Sequence, residues 1–126
     1  VILDASAVLA FLLREPGAER VMDVLMTEPQ MTTLNFAEVA TKYVLRGAAA
    51  QGERLRGELP VVFVPVDEDL ALRAALMATV TKPFGLSLAD RVCLALGART
   101  GLPVLTADRA WSEVAGPLGV TVEVVR

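Results

Sequence analysis

The stretch Val1-Ile2-Leu3-Asp4-Ala5-Ser6-Ala7-Val8-Leu9-Ala10-Phe11-Leu12-Leu13 decides the fold class. Val1 to Leu3 reads as a short buried strand, and an apolar helix capped by Ser6 runs through Leu13. Asp4 stands at the join. The same order of apolar strand, acid and helix returns further on. Met31 to Leu34 reads as a strand, and a helix carrying Glu38 follows from Asn35 to about Arg46. Val104 to Thr106 reads as another strand, with Asp108 opening a short helix that Gly116-Pro117 ends. Val61 to Val66 is a strand as well, and Asp67 caps a helix from Asp69 to about Val80.

The remaining segments fill in the pattern. Pro16-Gly17 sets off a helix over Ala18 to Thr27, and Gly47 precedes one over Ala48 to Leu59. Lys82-Pro83-Phe84-Gly85 reads as a loop. Ser87 opens the helix that carries Asp90, and Gly101 stops it. Val120 to Val125 alternates as a last, edge strand. Strands alternating with helices predict an α/β fold, one domain over residues 1–126, with a mostly parallel sheet covered on both faces. Ligands of such sheets lie beyond the carboxyl ends of the strands. Asp4, Glu38, Asp90 and Asp108 are all expected at that edge.

Carboxylates gathered there repel one another. At about 5 Å and an effective dielectric of ~20, each pair costs roughly 3 kcal/mol. Sharing protons or binding a hard cation relieves the repulsion, and oxygen ligands suit Mg²⁺ or Mn²⁺. Taken singly, each acid has an ordinary role. Glu38 follows Asn35, and Asp90 follows Ser87, at capping-box spacing. Asp4 and Asp108 suit turns between strand and helix, as does Asp67. The joint placement is what points to phosphodiester chemistry, with Ser6 and Thr106 as hydroxyls near the cluster.

Composition narrows the alternatives. The 126 residues contain no histidine and one cysteine, Cys93. A Ser-His-Asp triad, a His-ligated or Cys-based zinc site and an intrachain disulfide are all excluded. A cytoplasmic location is the simplest expectation. No apolar run is long enough for a membrane span, and Val1-Ile2-Leu3 lacks the basic flank of a signal peptide. The chain starts at Val1 without a methionine, so at least one preceding residue is expected. Hydrophobic residues make up 54%, and the mean hydropathy is +0.53. That surplus predicts a dry face that meets another chain. The net charge of −3 disfavours nucleic acid, but neutralising the four acids changes it by four, to +1.

Four segments carry a resemblance. Leu3-Asp4-Ala5-Ser6-Ala7, Asn35-Phe36-Ala37-Glu38, Ser87-Leu88-Ala89-Asp90-Arg91 and Leu105-Thr106-Ala107-Asp108-Arg109-Ala110-Trp111 resemble the PIN domain in order and spacing. More narrowly, the chain is similar to VapC-type toxins of bacterial toxin–antitoxin pairs. The family's acids fall on Asp4, Glu38, Asp90 and Asp108, and its Ser/Thr positions on Ser6 and Thr106. The resemblance implies a three-layer α/β/α sandwich and Mg²⁺-dependent endoribonuclease activity, with Mn²⁺ as a possible substitute. It also implies a homodimer and inhibition by a VapB-type antitoxin. Some relatives carry a further acid two residues after the fourth, where this chain has Ala110.

Asp4, Asp90 and Asp108 are the expected ligands of one ion, with Glu38 ligating a second or positioning water. Lys42, Arg46, Arg91 and Arg109 are candidate RNA contacts, the two arginines alternatively pairing with the acids they follow. Arg54 and Arg56 fit a solvated helix face better. Trp111 and Phe84 are candidates for base stacking, with a core or interface role the simpler reading. Met22, Met26 and Met77 fit core or partner contacts. The apolar helices around Val8–Leu13 and Val39–Val44 are candidates for antitoxin contact. Two rivals share the fold. A phosphoacceptor receiver domain needs a lysine after a late strand, and none follows Val104-Leu105-Thr106. A non-catalytic binding module keeps the acids without cleaving.

Overall fold

A computed structural model describes residues 1–126. The chain runs β1 (Ile2–Leu3), α1 (Ala5–Leu12), α2 (Ala18–Leu25), β2 (Gln30–Thr32), α3 (Thr33–Leu45) and α4 (Ala49–Glu58). It continues β3 (Val62–Val64), α5 (Glu68–Leu76), α6 (Ala78–Thr81), a 3₁₀ turn (Lys82–Phe84), α7 (Leu88–Thr100), β4 (Val104–Thr106), α8 (Trp111–Leu118) and β5 (Val122–Val124). The five strands form one sheet in the order β3-β2-β1-β4-β5. Every pairing is parallel, with Ile2 opposite both Gln30 and Val104, and Leu3 opposite Leu105. The expected sheet is therefore present and wholly parallel.

Side chains alternate across it. Ile2 and Val104 point into a core with Leu70, Val92, Leu96, Trp111 and Val114, beneath α5, α7 and α8. Leu3 and Leu105 point into a second core with Val8, Val21, Met31, Val39 and Leu55, beneath α1 to α4. These are the three layers. The chain winds outward from β1 to β3, then returns to build β4 and β5 on the other side. That reversal leaves a crevice between the carboxyl ends of β1 and β4.

Several boundaries differ from expectation. Asp4, not Ser6, occupies the N-cap position of α1. Thr32 caps α3 by accepting the Asn35 backbone N–H, so α3 begins two residues earlier than Asn35. The single helix expected to about Val80 breaks at Met77 into α5 and α6. Lys82–Phe84 forms a 3₁₀ turn with Pro83 near its start, where proline's missing N–H costs nothing. The last helix starts at Trp111 and carries Pro117 in its final turn, ending at Gly119 in the left-handed region (φ 65°). No helix is long and apolar enough to cross a membrane.

Candidate metal centre

Asp4 emerges from β1 and is only 3% exposed. It holds the cap position of α1, yet its carboxylate makes no cap hydrogen bond. Ser6 Oγ and Thr106 Oγ1 instead donate to its Oδ2, at 2.6 and 2.9 Å. Each hydroxyl oxygen accepts a backbone N–H in turn, from Ala107 to Ser6 (2.9 Å) and from Asp108 to Thr106 (3.1 Å). A hydroxyl has one proton, so this chain of bonds is directional. It starts in the turn after β4 and ends on Asp4. Both hydroxyls thus act at the cluster, and Ser6 is not the helix cap that its position after the strand predicted.

Glu38 sits on α3 and Asp90 in the first turn of α7. The two helices pack against each other. The capping box expected at Ser87 is present: Ser87 N–H donates to Asp90 Oδ2 (2.8 Å) and Asp90 N–H to Ser87 Oγ (3.2 Å). The one expected at Asn35 is absent, because Thr32 already caps that helix. Asn35 Nδ2 donates instead to Glu38 Oε1 at 3.3 Å.

Asp4, Glu38 and Asp90 each offer one oxygen within 4.8 Å of the others. Burial pushes Asp4 up to about 7, against the Ser6 and Thr106 hydrogen bonds, and repulsion from Asp90 and Glu38 adds to it. Burial also raises Glu38, opposed by Asn35 and reinforced by Asp90. Asp90 rises by burial too, opposed by its bonds to Ser87 and reinforced by Asp108. Asp108 stands apart from this trio. It is exposed, and its Oδ1 accepts the Ala110 N–H at 2.9 Å, closing the turn before α8. Its charge is felt at Asp90 across the crevice.

None of the chain's ion pairs involves these four acids. Three converging carboxylates, one of them buried and none ion-paired, make a donor set that fits a hard divalent ion. Lys42, Arg109 and Arg126 line a cleft with Ser6, Glu15, Ala107 and Asp108. Lys42 and Arg46 line a second with Glu38. Arg91 pairs with no acid. Its Nη1 donates to the Ala74 carbonyl oxygen (3.2 Å), and it lines a separate cleft with Thr81 and Lys82. The next residue along a helix points about 100° away, which turns Arg91 from Asp90's face.

Trp111 is fully buried in the core and cannot stack on a base, whereas Phe84 is exposed. Met77 is buried, and Met22 and Met26 are exposed. On α1, Val8 and Ala10 are buried and Leu9, Phe11 and Leu12 half-buried, while Val44 and Leu45 of α3 are exposed. Asp67 caps α5 and pairs with Arg99, beyond the edge strand β3. Sequence reading paired Glu38 with Asn35 through a capping box and missed the Asn35 side chain as its partner, although Thr32 lies at N-cap spacing before Asn35. It also missed Arg126, which reaches the cleft through a salt bridge to Glu15 (3.0 Å) that spans most of the chain.

Comparison with known proteins agrees with this architecture. Residues 1–117 match the family model of the PIN domain. No curated protein sequence matches the chain. Among solved structures, it is similar to FitAcB from Neisseria gonorrhoeae, with 22% identity, a TM-score of 0.70 and coverage of 96% of this chain and 94% of that one. It is similar to a toxin–antitoxin complex from Klebsiella pneumoniae, with 16% identity, a TM-score of 0.74 and coverage of 100% and 98%. DNA-bound VapBC from Salmonella typhimurium gives 12% identity, a TM-score of 0.75 and coverage of 99% and 97%. At these identities the likeness is one of fold.

Proposed function

Because the chain belongs to the PIN domain family, we propose that it is a divalent-metal-dependent endoribonuclease and the toxin of a VapBC-type pair. The observation that carries this reading is the convergence of Asp4, Glu38 and Asp90 within 4.8 Å, none of them ion-paired to a lysine or arginine. These three residues would hold the ion, Mg²⁺ or Mn²⁺, with Asp108 adding negative charge nearby. A divalent ion at such a site supplies Lewis acidity to the scissile phosphodiester and activates water for in-line attack.

The chain's own groups prepare that site. Ser6 and Thr106 stabilise the ionised form of Asp4 and aim both protons at Oδ2, which leaves Oδ1 without a protein donor. Asp90 is held by its capping box and Glu38 by Asn35. Lys42, Arg46 and Arg109 line clefts running off the acids, where they would take the phosphates flanking the cut. Arg91 has no part in this track.

The reading includes an antitoxin of VapB type. A groove between α3 and α4, lined by Phe36, Ala40, Val44, Gly52, Glu53 and Arg56, joins apolar surface to both signs of charge. It also includes a homodimer, for which exposed Leu72 and Leu76 of α5 and Leu88 of α7 offer an apolar face. The likeness to toxin–antitoxin complexes supports the antitoxin partner.

Cleavage mapping on total cellular RNA tests the activity. Cutting at defined sites is expected with Mg²⁺ or Mn²⁺ and none with a chelator. Asp4→Asn is expected to lower the rate by a factor of at least ~10² while the protein stays folded. Near-wild-type cleavage by that variant would remove the acid cluster from the reaction.

A further inference from the structure

Asn35 is the one fully buried polar side chain of α3. It is 0% exposed. Its backbone N–H is taken by Thr32 Oγ1 at 3.1 Å. Its Nδ2 donates to the Ala89 carbonyl oxygen at 3.1 Å and to Glu38 Oε1 at 3.3 Å. Its Oδ1 accepts the Thr32 hydroxyl proton. Both amide hydrogens and the carbonyl therefore have partners.

This arrangement has a single workable orientation. Turned over, the amide would set its oxygen against the Ala89 carbonyl and the Glu38 carboxylate, two acceptors facing a third. Packing α3 onto α7 does not require such a residue. An apolar side chain would fill the space, whereas a buried amide is tolerated only when fully bonded. What the amide adds is a connection. Ala89 immediately precedes Asp90, so one side chain ties the backbone at Asp90 to the carboxylate of Glu38. Glu38 lies on an exposed part of α3 and has three rotatable bonds. The bond from Asn35 selects among its positions.

We propose that Asn35 is a positioning residue, holding the Glu38 carboxylate beside the start of α7 so that Glu38 and Asp90 present oxygens to the same divalent ion. The proposal rests on the metal reading of Asp4, Glu38 and Asp90 above. Groups that orient a metal ligand from behind typically change metal affinity by about 10- to 100-fold when removed.

Mn²⁺ titration calorimetry on four purified forms tests it: wild type, Asn35→Ser, Glu38→Ala and the double variant. Serine keeps a hydroxyl near Thr32 and is too short to reach Glu38. Asn35→Ser is expected to weaken Mn²⁺ binding about 10-fold or more in the wild-type background. It is expected to have an effect below about 2-fold where Glu38 is already alanine, because coupling vanishes when the partner is gone. Equal losses in both backgrounds, or no loss in either, would overturn the proposal alone. A wild-type protein that binds no Mn²⁺ would overturn the metal reading with it. Should Asn35→Ser not fold, the side-chain amide resonance of Asn35, recorded without metal in an otherwise native chain, gives the answer. It is expected to shift on Glu38→Ala, and an unmoved resonance would overturn the proposal.

Discussion

Asp4 is where a single residue trades stability against the proposed chemistry. In the folded chain its carboxylate is raised to about 7 from an ordinary 3.8. Between those values the folded state binds the proton that the unfolded state releases. Stability of the metal-free protein therefore falls as pH rises from about 4 to about 7, and levels off above. The ceiling on this effect is on the order of 4 kcal/mol. Asn at this position stays neutral, its carbonyl can accept from Ser6 and Thr106, and its NH₂ faces the other acids. In the presence of a chelator, Asp4→Asn is thus expected to melt roughly 5 °C or more above wild type at pH 8 and to converge with it near pH 4. Thermal denaturation across that range checks the sign. Divalent metal is expected to stabilise wild type more at pH 8 than at pH 6, since the ion must displace the Asp4 proton.

At the level of elements, strand-to-helix acids divide by what their helix asks of them. Asp67 accepts the Leu70 N–H (2.9 Å) and is a true cap, whereas Asp4 leaves its helix uncapped. Asp67→Ala is expected to cost about 1 kcal/mol in urea denaturation and to leave RNA cleavage unchanged. Its ion pair with Arg99 adds little at so exposed a place. Helix α7 carries a different constraint. A Cβ on Gly97 would meet Val104 Cγ2 at 2.7 Å and Val120 Cγ1 at 2.9 Å, both on stiff, buried side chains. Alanine's better helix propensity is worth about 1 kcal/mol, and overpacking of this kind costs about 1–3 kcal/mol. Gly97→Ala is expected to be destabilising on balance, measured as a lower urea midpoint.

Over the whole molecule, a chain of net charge −3 would have to bind RNA through local arrangement. Lys42 and Arg109 come from opposite halves of the sequence to line one cleft. Replacing both by alanine is expected to lower kcat/KM by about 10-fold or more at low salt. The loss should shrink as salt rises, with the salt slope reduced by roughly 0.7 per lost phosphate contact. A uniform loss at every salt concentration would place these residues outside the RNA track. The alternation of apolar strands and helices, Asp4 and Asp108 just past strand ends, and the exclusion of a histidine-based triad and of His- or Cys-based zinc were legible in the sequence, whereas Asp90 follows a 3₁₀ turn and not a strand. The legible features depend on short-range pattern and on which residue types are present. The Ser87–Asp90 capping box was legible for the same reason. Three things waited for the fold: that Asp4, Glu38 and Asp90 converge while Asp108 stands off, that Arg91 turns away, and that Asn35 bridges two helices. Those follow from the order β3-β2-β1-β4-β5 and from the packing of α3 on α7. Burial of both sheet faces sets these arrangements through contacts between residues dozens of positions apart, and no local spacing encodes them.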